Sequence, residues 1–288
     1  SEMCIRDRYW DLREYLKLEK KGECDIMDLE LKDKVVMITG STGGVGEALT
    51  KAFAAEGCKL AISSTKQEKL DKLVPLLNLP ADHLLTFVVD VTKEDQVQAM
   101  VDKTVETFGG LDVQVNNAGY DGRNAPITEQ TYEDFMKVYN INLFGPMYGM
   151  KYAVRQMMKQ KSGSIVNIAS NGSFVGAAGM APYVSSKHAV AGLSKCVALE
   201  TAASNIRVNC ICPGAIDTAM MRSIEKKFLG ENVSIEDAKK AFSGAYPDGR
   251  YADPKEVADL AIYLASARSG HITGACIRQD GGMEATSR

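Results

Sequence analysis

Short apolar runs recur along the chain at 34–39, 58–63, 84–89, 111–116, 164–169, 206–211 and 274–279. Most are continuous. A strand with one face in water alternates apolar with polar residues, whereas a run without alternation marks a strand covered on both faces, as in a parallel sheet. Helical spacing fills the gaps at 44–56, 66–77, 93–108, 130–158, 182–203 and 254–266. Each segment is long enough to serve as the crossover that parallel strands require. The pattern predicts one α/β domain, a doubly wound parallel sheet of about seven strands. The stretch 218–250 breaks the rhythm with charged helical sequence and reads as a lid. In such sheets ligands bind outside the carboxyl ends of the strands, so functional residues are expected just after strands 1, 2, 4, 5 and 6.

No Pro/Gly/Ser-rich linker divides the 288 residues, so 27–288 is taken as a single domain. Residues 1–26 mix charge and aromatics without a period and read as an extension, flexible or non-native, with a plausible natural start at Met27. A net charge of −3 and three scattered His give no basic footprint for nucleic acid and no metal tract. No apolar stretch approaches the ~20 residues needed to span a bilayer. Seven Cys without C-x-x-C or zinc-like spacing read as thiols in a reducing cytoplasm, and no signal-peptide core precedes them. Neither nucleic acid, nor membrane, nor metal is expected as a partner.

Directly after the first strand comes Thr39-Gly40-Ser41-Thr42-Gly43-Gly44-Val45-Gly46, opening a helical run. Glycines permit a tight turn and let backbone N–H groups approach a pyrophosphate, and the helix N-terminus adds a favourable dipole. A dinucleotide is therefore the expected cofactor. At the end of strand 2 an acid would bond the ribose hydroxyls of NAD and repel a 2′-phosphate. Here Ser64, Thr65 and Lys66 offer hydroxyls and a cation instead, so NADP(H) is modestly favoured over NAD(H).

Tyr183-Val184-Ser185-Ser186-Lys187 places a lysine one helical turn after a tyrosine, on the same face. A cation at ~4 Å is expected to lower the phenol from about 10 towards neutrality and make it an acid/base. The same Y-x-x-x-K spacing recurs at Tyr251–Lys255, but Pro254 suits a helix start there, so Tyr251 precedes the helix and that copy reads as a decoy.

The G-x-x-x-G-x-G spacing, with Asn116-Asn117-Ala118-Gly119 after strand 4 and the Tyr183/Lys187 pair, resembles the short-chain dehydrogenase/reductase family, which is built on the Rossmann fold. The resemblance runs from about Asp33 to Gly282 and implies further roles. Ser170, ending strand 5 thirteen residues before Tyr183, would orient the substrate oxygen. Asn142 would support proton delivery; from the residues alone Asn140 is as good a choice, and the family's Asn-Leu pattern selects Asn142. Cofactor contacts are implied at Gly40, Ser41, Thr42, Gly44, Val45 and Gly46, at Asp90 and Val91, and at Asn117, Ala118 and Gly119. They are implied also at Tyr183 and Lys187, and at Pro213, Gly214, Ile216 and Thr218. Gln114, an amide inside strand 4, departs from the family pattern, as does the lack of an Arg in the cofactor region.

The implied reaction is hydride transfer between nicotinamide and a small-molecule carbonyl or secondary alcohol, read first as ketone reduction. A 3-oxoacyl-thioester (acyl carrier protein) reductase would share every motif. A non-catalytic cofactor-sensing protein would have little need of the full Asn/Ser/Tyr/Lys set. Substrate choice falls to Tyr120–Ala125, Asn171–Met180 and the lid, with Phe174, Met180 and Met221 as candidate apolar lining and Arg123 as a candidate anion partner. A homotetramer is implied by the family and agrees with apolar residues on more than one side of helix 182–203 (Val190, Leu193, Val197, Leu199).

Overall fold

The computed structural model describes residues 28–285; the expected extension at 1–26, with Cys4 and Cys24, and the start at Met27 lie outside the described residues. Seven strands form one sheet: β1 (Val35–Thr39), β2 (Lys59–Ser64), β3 (Leu84–Val88), β4 (Val113–Asn116), β5 (Gly163–Ile168), β6 (Ile206–Pro213) and β7 (Cys276–Gln279). Their order is β3-β2-β1-β4-β5-β6-β7, every pair parallel. The chain winds outward one way from β1 and the other way from β4, so the crevice where the winding reverses opens at the carboxyl ends of those two strands.

Period two divides the strand side chains between two layers. Val36, Ile38, Leu60 and Ile62 pack with Leu49 and Phe53 of α1 (Gly44–Ala55), Leu70 of α2 (Gln67–Leu73) and Val257, Ala261 and Leu264 of α9 (Pro254–Ala265). Val35, Met37, Ile165 and Val208 face the other way. They pack with Met100 of α3 (Glu94–Phe108), Met150 and Met157 of α5 (Gly145–Gln160) and Ala198 of α6 (Ala181–Thr201). Each fully buried large side chain here contributes about 1.5–3 kcal/mol, which is why β1, apolar on both faces, is completely enclosed. The two edge strands depart from continuous burial: β3 leaves Val88 half exposed, and β7 buries none of its four residues fully.

Two predicted helices are shorter than their periodicity. The segment 66–77 leaves α-geometry after Leu73, where Pro75 enters and Val74–Leu76 tightens into a 3₁₀ turn. The segment 130–158 divides into α4 (Tyr132–Tyr139), a single π turn at Asn140–Phe144, and α5. Pro146 has no N–H to close an α-turn onto the Asn142 carbonyl, and the widened turn is the local result. The lid resolves into α7 (Ala219–Leu229) and α8 (Ile235–Ser243). No described helix is long and apolar enough to cross a membrane.

Candidate active site

The glycine turn after β1 is held by contacts that explain its composition. Gly40 has φ +66°, a left-handed conformation favouring glycine, and a Cβ there would lie 2.9 Å from the Ala118 Cα. A Cβ on Gly44 would lie 2.6 Å from the Thr218 methyl, and one on Gly46 would run into the Gly40 carbonyl oxygen. Asn117 then staples the end of β4 to the turn, its Nδ2 donating to the Thr39 and Gly40 carbonyls at 3.2 and 2.9 Å. The result is a cradle of exposed backbone at the N-terminus of α1 that admits a phosphate-bearing group and excludes side chains.

That cradle is one end of a cleft of about 460 Å³. Gly40, Thr42, Gly44, Val45 and Gly46 line it, as do Ser64 and Thr65 after β2, and Asp90 and Val91 after β3. So do Asn117, Ala118 and Gly119 after β4, and Pro213, Gly214, Ile216 and Thr218 after β6. Two expected contacts fall elsewhere. Ser41 is turned inward, its hydroxyl donating to the Ile38 carbonyl at 2.8 Å and accepting from Ser63 N–H at 3.2 Å, so it shapes the turn instead of facing the cleft. Lys66 is the exposed N-cap of α2, and the lysine lining this end of the cleft is Lys69, one turn later. The helical spacing 66–69 carried that signal. Ser64 is buried and shares a 2.8 Å hydrogen bond with Thr42, so the end of β2 is tied to the glycine turn.

At the other end, Ser170, Tyr183 and Lys187 face the same space. Ser170 ends the β5 segment, its Oγ held by Gly172 N–H at 3.1 Å and donating to Asn171 Oδ1 at 3.2 Å. Tyr183 stands in the first turn of α6, where Pro182 suits the helix start. Lys187, one turn on and buried, donates to the Ile168 carbonyl at 2.9 Å, with Nζ 5.6 Å from the centre of the Tyr183 ring. Asn142, in the π turn, does not line the cleft. Its amide holds both backbone groups of Tyr120, at 2.8 and 2.9 Å, and donates to Ser186 at 3.2 Å. The structure thus brings Asn142, and not Asn140, behind Lys187, and adds Tyr120 to the cleft.

The expected electrostatics are corrected in sign. In the protein itself burial raises the Tyr183 phenol above its ordinary value, with the facing Ser170 hydroxyl opposing and Asp121 and Tyr246 reinforcing. The same burial pulls the Lys187 ammonium down to about 8. Burial is the largest cause at both groups, and it disfavours the charged form of each.

The decoy pair is set apart as its sequence implied. Tyr251 donates to Glu225 at 2.7 Å, and Lys255 lies exposed at the start of α9 behind the Asp253 cap. Among the candidate substrate residues, Met180 and Met221 line a second chamber that meets the cleft at Ser170 and Tyr183. Phe174 does not: it is on the surface beneath the Arg278 guanidinium. Arg123 is drawn to Glu129 and Asp134. Tyr246, absent from the sequence-derived set, closes the lid side. Its hydroxyl accepts from Ala215 N–H at 2.9 Å, and a Cβ on Gly214 would strike its ring.

A family model described as Enoyl-(Acyl carrier protein) reductase matches residues 40–284. The 3-oxoacyl-[acyl-carrier-protein] reductase FabG of Thermotoga maritima is 37% identical over 255 residues, covering 88% of this chain and 99% of that protein. A crystal structure of levodione reductase superposes with a TM-score of 0.85 at 35% identity, covering 89% of this chain and 99% of that one. The structure of ElxO with NADP bound superposes with a TM-score of 0.80 at 34% identity, covering 88% and 100%. With a match over nearly nine-tenths of the chain laid over the strand order and the cleft, the chain belongs to the short-chain dehydrogenase/reductase family of oxidoreductases.

Proposed function

We propose that the protein reduces a ketone, and in reverse oxidises the secondary alcohol, with Tyr183 as the proton donor and acceptor. The observation that carries this reading is the convergence of Ser170, Tyr183 and Lys187 at the junction of the cleft with a second chamber. A nicotinamide dinucleotide fits the first space. The glycine cradle would take its pyrophosphate, Asp90 and Val91 the adenine side, Lys187 the ribose, and Pro213–Thr218 the carboxamide. When bound, that cofactor supplies the hydride. The chain supplies the proton: Ser170 donates a hydrogen bond to the carbonyl oxygen, and the Tyr183 O–H bond breaks as its proton passes to that oxygen. A phenol held above its ordinary value is in the protonated state that reduction consumes. Asn142, fixed against Tyr120 and Ser186, holds the π turn beside Lys187 so that the proton lost by Tyr183 is replaced.

NADP(H) is the favoured cofactor, because Ser64 and Thr65 place no acid at the end of β2 and Lys69 offers a cation. A tetramer is the favoured assembly, since Leu199 on α6 and Met158 on α5 stand exposed on the helices that would meet. The cytoplasm is the favoured compartment, in keeping with the free thiols of Cys58, Cys196, Cys210, Cys212 and Cys276. Titration with NADPH and NADH, followed by ketone turnover, tests the reading. Tyr183→Phe is expected to keep cofactor binding and to lose about 10²–10⁴ in kcat, the range for a positioned general acid. Wild-type turnover in that variant would refute the assignment.

A further inference from the structure

The second chamber has a composition that constrains what it holds. It encloses about 420 Å³ between the segment after β5, the first turn of α6 and the lid helices α7 and α8. Val175, Met180, Met221, Ile224, Phe228 and Phe242 supply its walls, and among the described residues no Asp, Glu, Lys, Arg or His lines it. Phe228 and Phe242 meet edge to face with centroids 5.9 Å apart, joining α7 to α8 across its outer end.

The polar atoms that do face the chamber are already engaged, except at one point. The Tyr246 hydroxyl accepts from Ala215 N–H. The Asn171 amide accepts from Ser170 and donates to the Met283 sulfur. Thr218 caps α7 by accepting from Met221 N–H. Among the described residues Ser170 and Tyr183 stand at the junction with the cleft, where the Ser170 hydroxyl can exchange its 3.2 Å bond to Asn171 for one to a substrate oxygen. Several cations on the surrounding elements are paired with carboxylates: Lys227 with Asp121, Arg222 with Glu225, Lys239 with Asp217 and Arg278 with Glu284. Burying an ion in such a chamber without a partner costs several kcal/mol.

We infer that the substrate is a neutral ketone whose single reacting oxygen meets Ser170 and Tyr183 and whose remainder is a ring-sized hydrocarbon, and that it is neither a keto acid nor a carrier-bound thioester. The inference rests on the reductase reading above and narrows it. A thioester on a phosphopantetheine arm would bring a phosphate and an acidic carrier, for which the described lining of the chamber offers no cation. A compact hydrocarbon body would instead gain from every methylene removed from water.

The test compares kcat/KM, with whichever of NADPH and NADH binds, for cyclohexanone, 2-decalone, acetoacetate and acetoacetyl-coenzyme A. The expected order places 2-decalone at least about tenfold above cyclohexanone. Acetoacetate and the thioester should fall below both. Phe228→Ala, at a partly exposed position that tolerates truncation, should lower kcat/KM for 2-decalone more than for cyclohexanone. A thioester or keto acid turned over faster than either cyclic ketone overturns the substrate class while leaving the reductase reading intact. Cofactor binding without turnover of any member of the panel overturns both.

Discussion

Tyr183 and Lys187 sit one helical turn apart, yet burial moves their proton affinities away from the values that would make each ionise readily. For Lys187 the sign gives a measurable consequence. Its folded value of about 8 lies below the ordinary 10.5, so at pH 7 both folded and unfolded chains carry the charge and only the folded one bears its burial. That drop corresponds to about 3 kcal/mol, set against about 1 kcal/mol for the hydrogen bond to Ile168. Lys187→Met is therefore expected to melt above the wild type at pH 7. Its advantage should shrink as pH rises through 8 and be lost above 10.5, where neither chain binds the proton. Paired thermal melts across that range check it; an advantage independent of pH would refute the burial account. The raised phenol makes a second prediction about direction. Reduction should hold its rate at neutral pH while oxidation climbs with alkalinity, because oxidation needs Tyr183 deprotonated. Initial rates measured both ways across pH 6–10 decide this, and parallel profiles would count against Tyr183.

Among elements, the informative contacts join parts distant in sequence. Asn117 binds the end of β4 to the turn after β1, and the two are 77 residues apart. Losing its two hydrogen bonds costs about 1–3 kcal/mol, since each carbonyl has its own partner there. Asn117→Ala should lower the melting temperature and weaken dinucleotide binding about tenfold, a loss seen directly by calorimetric titration. A similar tie fixes the lid: Lys227 of α7 reaches Asp121 and the Gly122 carbonyl in the loop after β4. Beneath the sheet, Gln114, the amide that departs from the family pattern, donates to Asn116, which donates to Asn167, which donates to Ser194 of α6. An amide inside an apolar strand is thus the first link of a chain that crosses from β4 through β5 to the helix carrying Tyr183.

For the molecule as a whole, β7 ends the sheet and α5 and α6 leave apolar residues in water, Leu199 most of all at 84% exposure. If those helices form the interface of the proposed tetramer, Leu199→Glu should reduce the particle mass measured by light scattering. An unchanged mass would place the contact elsewhere. The doubly wound sheet, the glycine turn and the Tyr183/Lys187 pair were legible in the sequence because they depend on local rules: continuous apolar runs of strand length, one helical turn between paired side chains, and glycine where φ is positive. Asn142 was told from Asn140 only by the family's Asn-Leu pattern, and the inward turn of Ser41 and the surface position of Phe174 were not legible. Each depends on which way a side chain faces once distant strands have met. The sequence by itself determined the doubly wound sheet and which residue types would gather at its carboxyl edge. Only the tertiary structure decided the sign of the shifts at Tyr183 and Lys187 and the gathering of uncharged side chains, among the described residues, around the second chamber, because burial and partnership belong to the packed chain and to no segment of it.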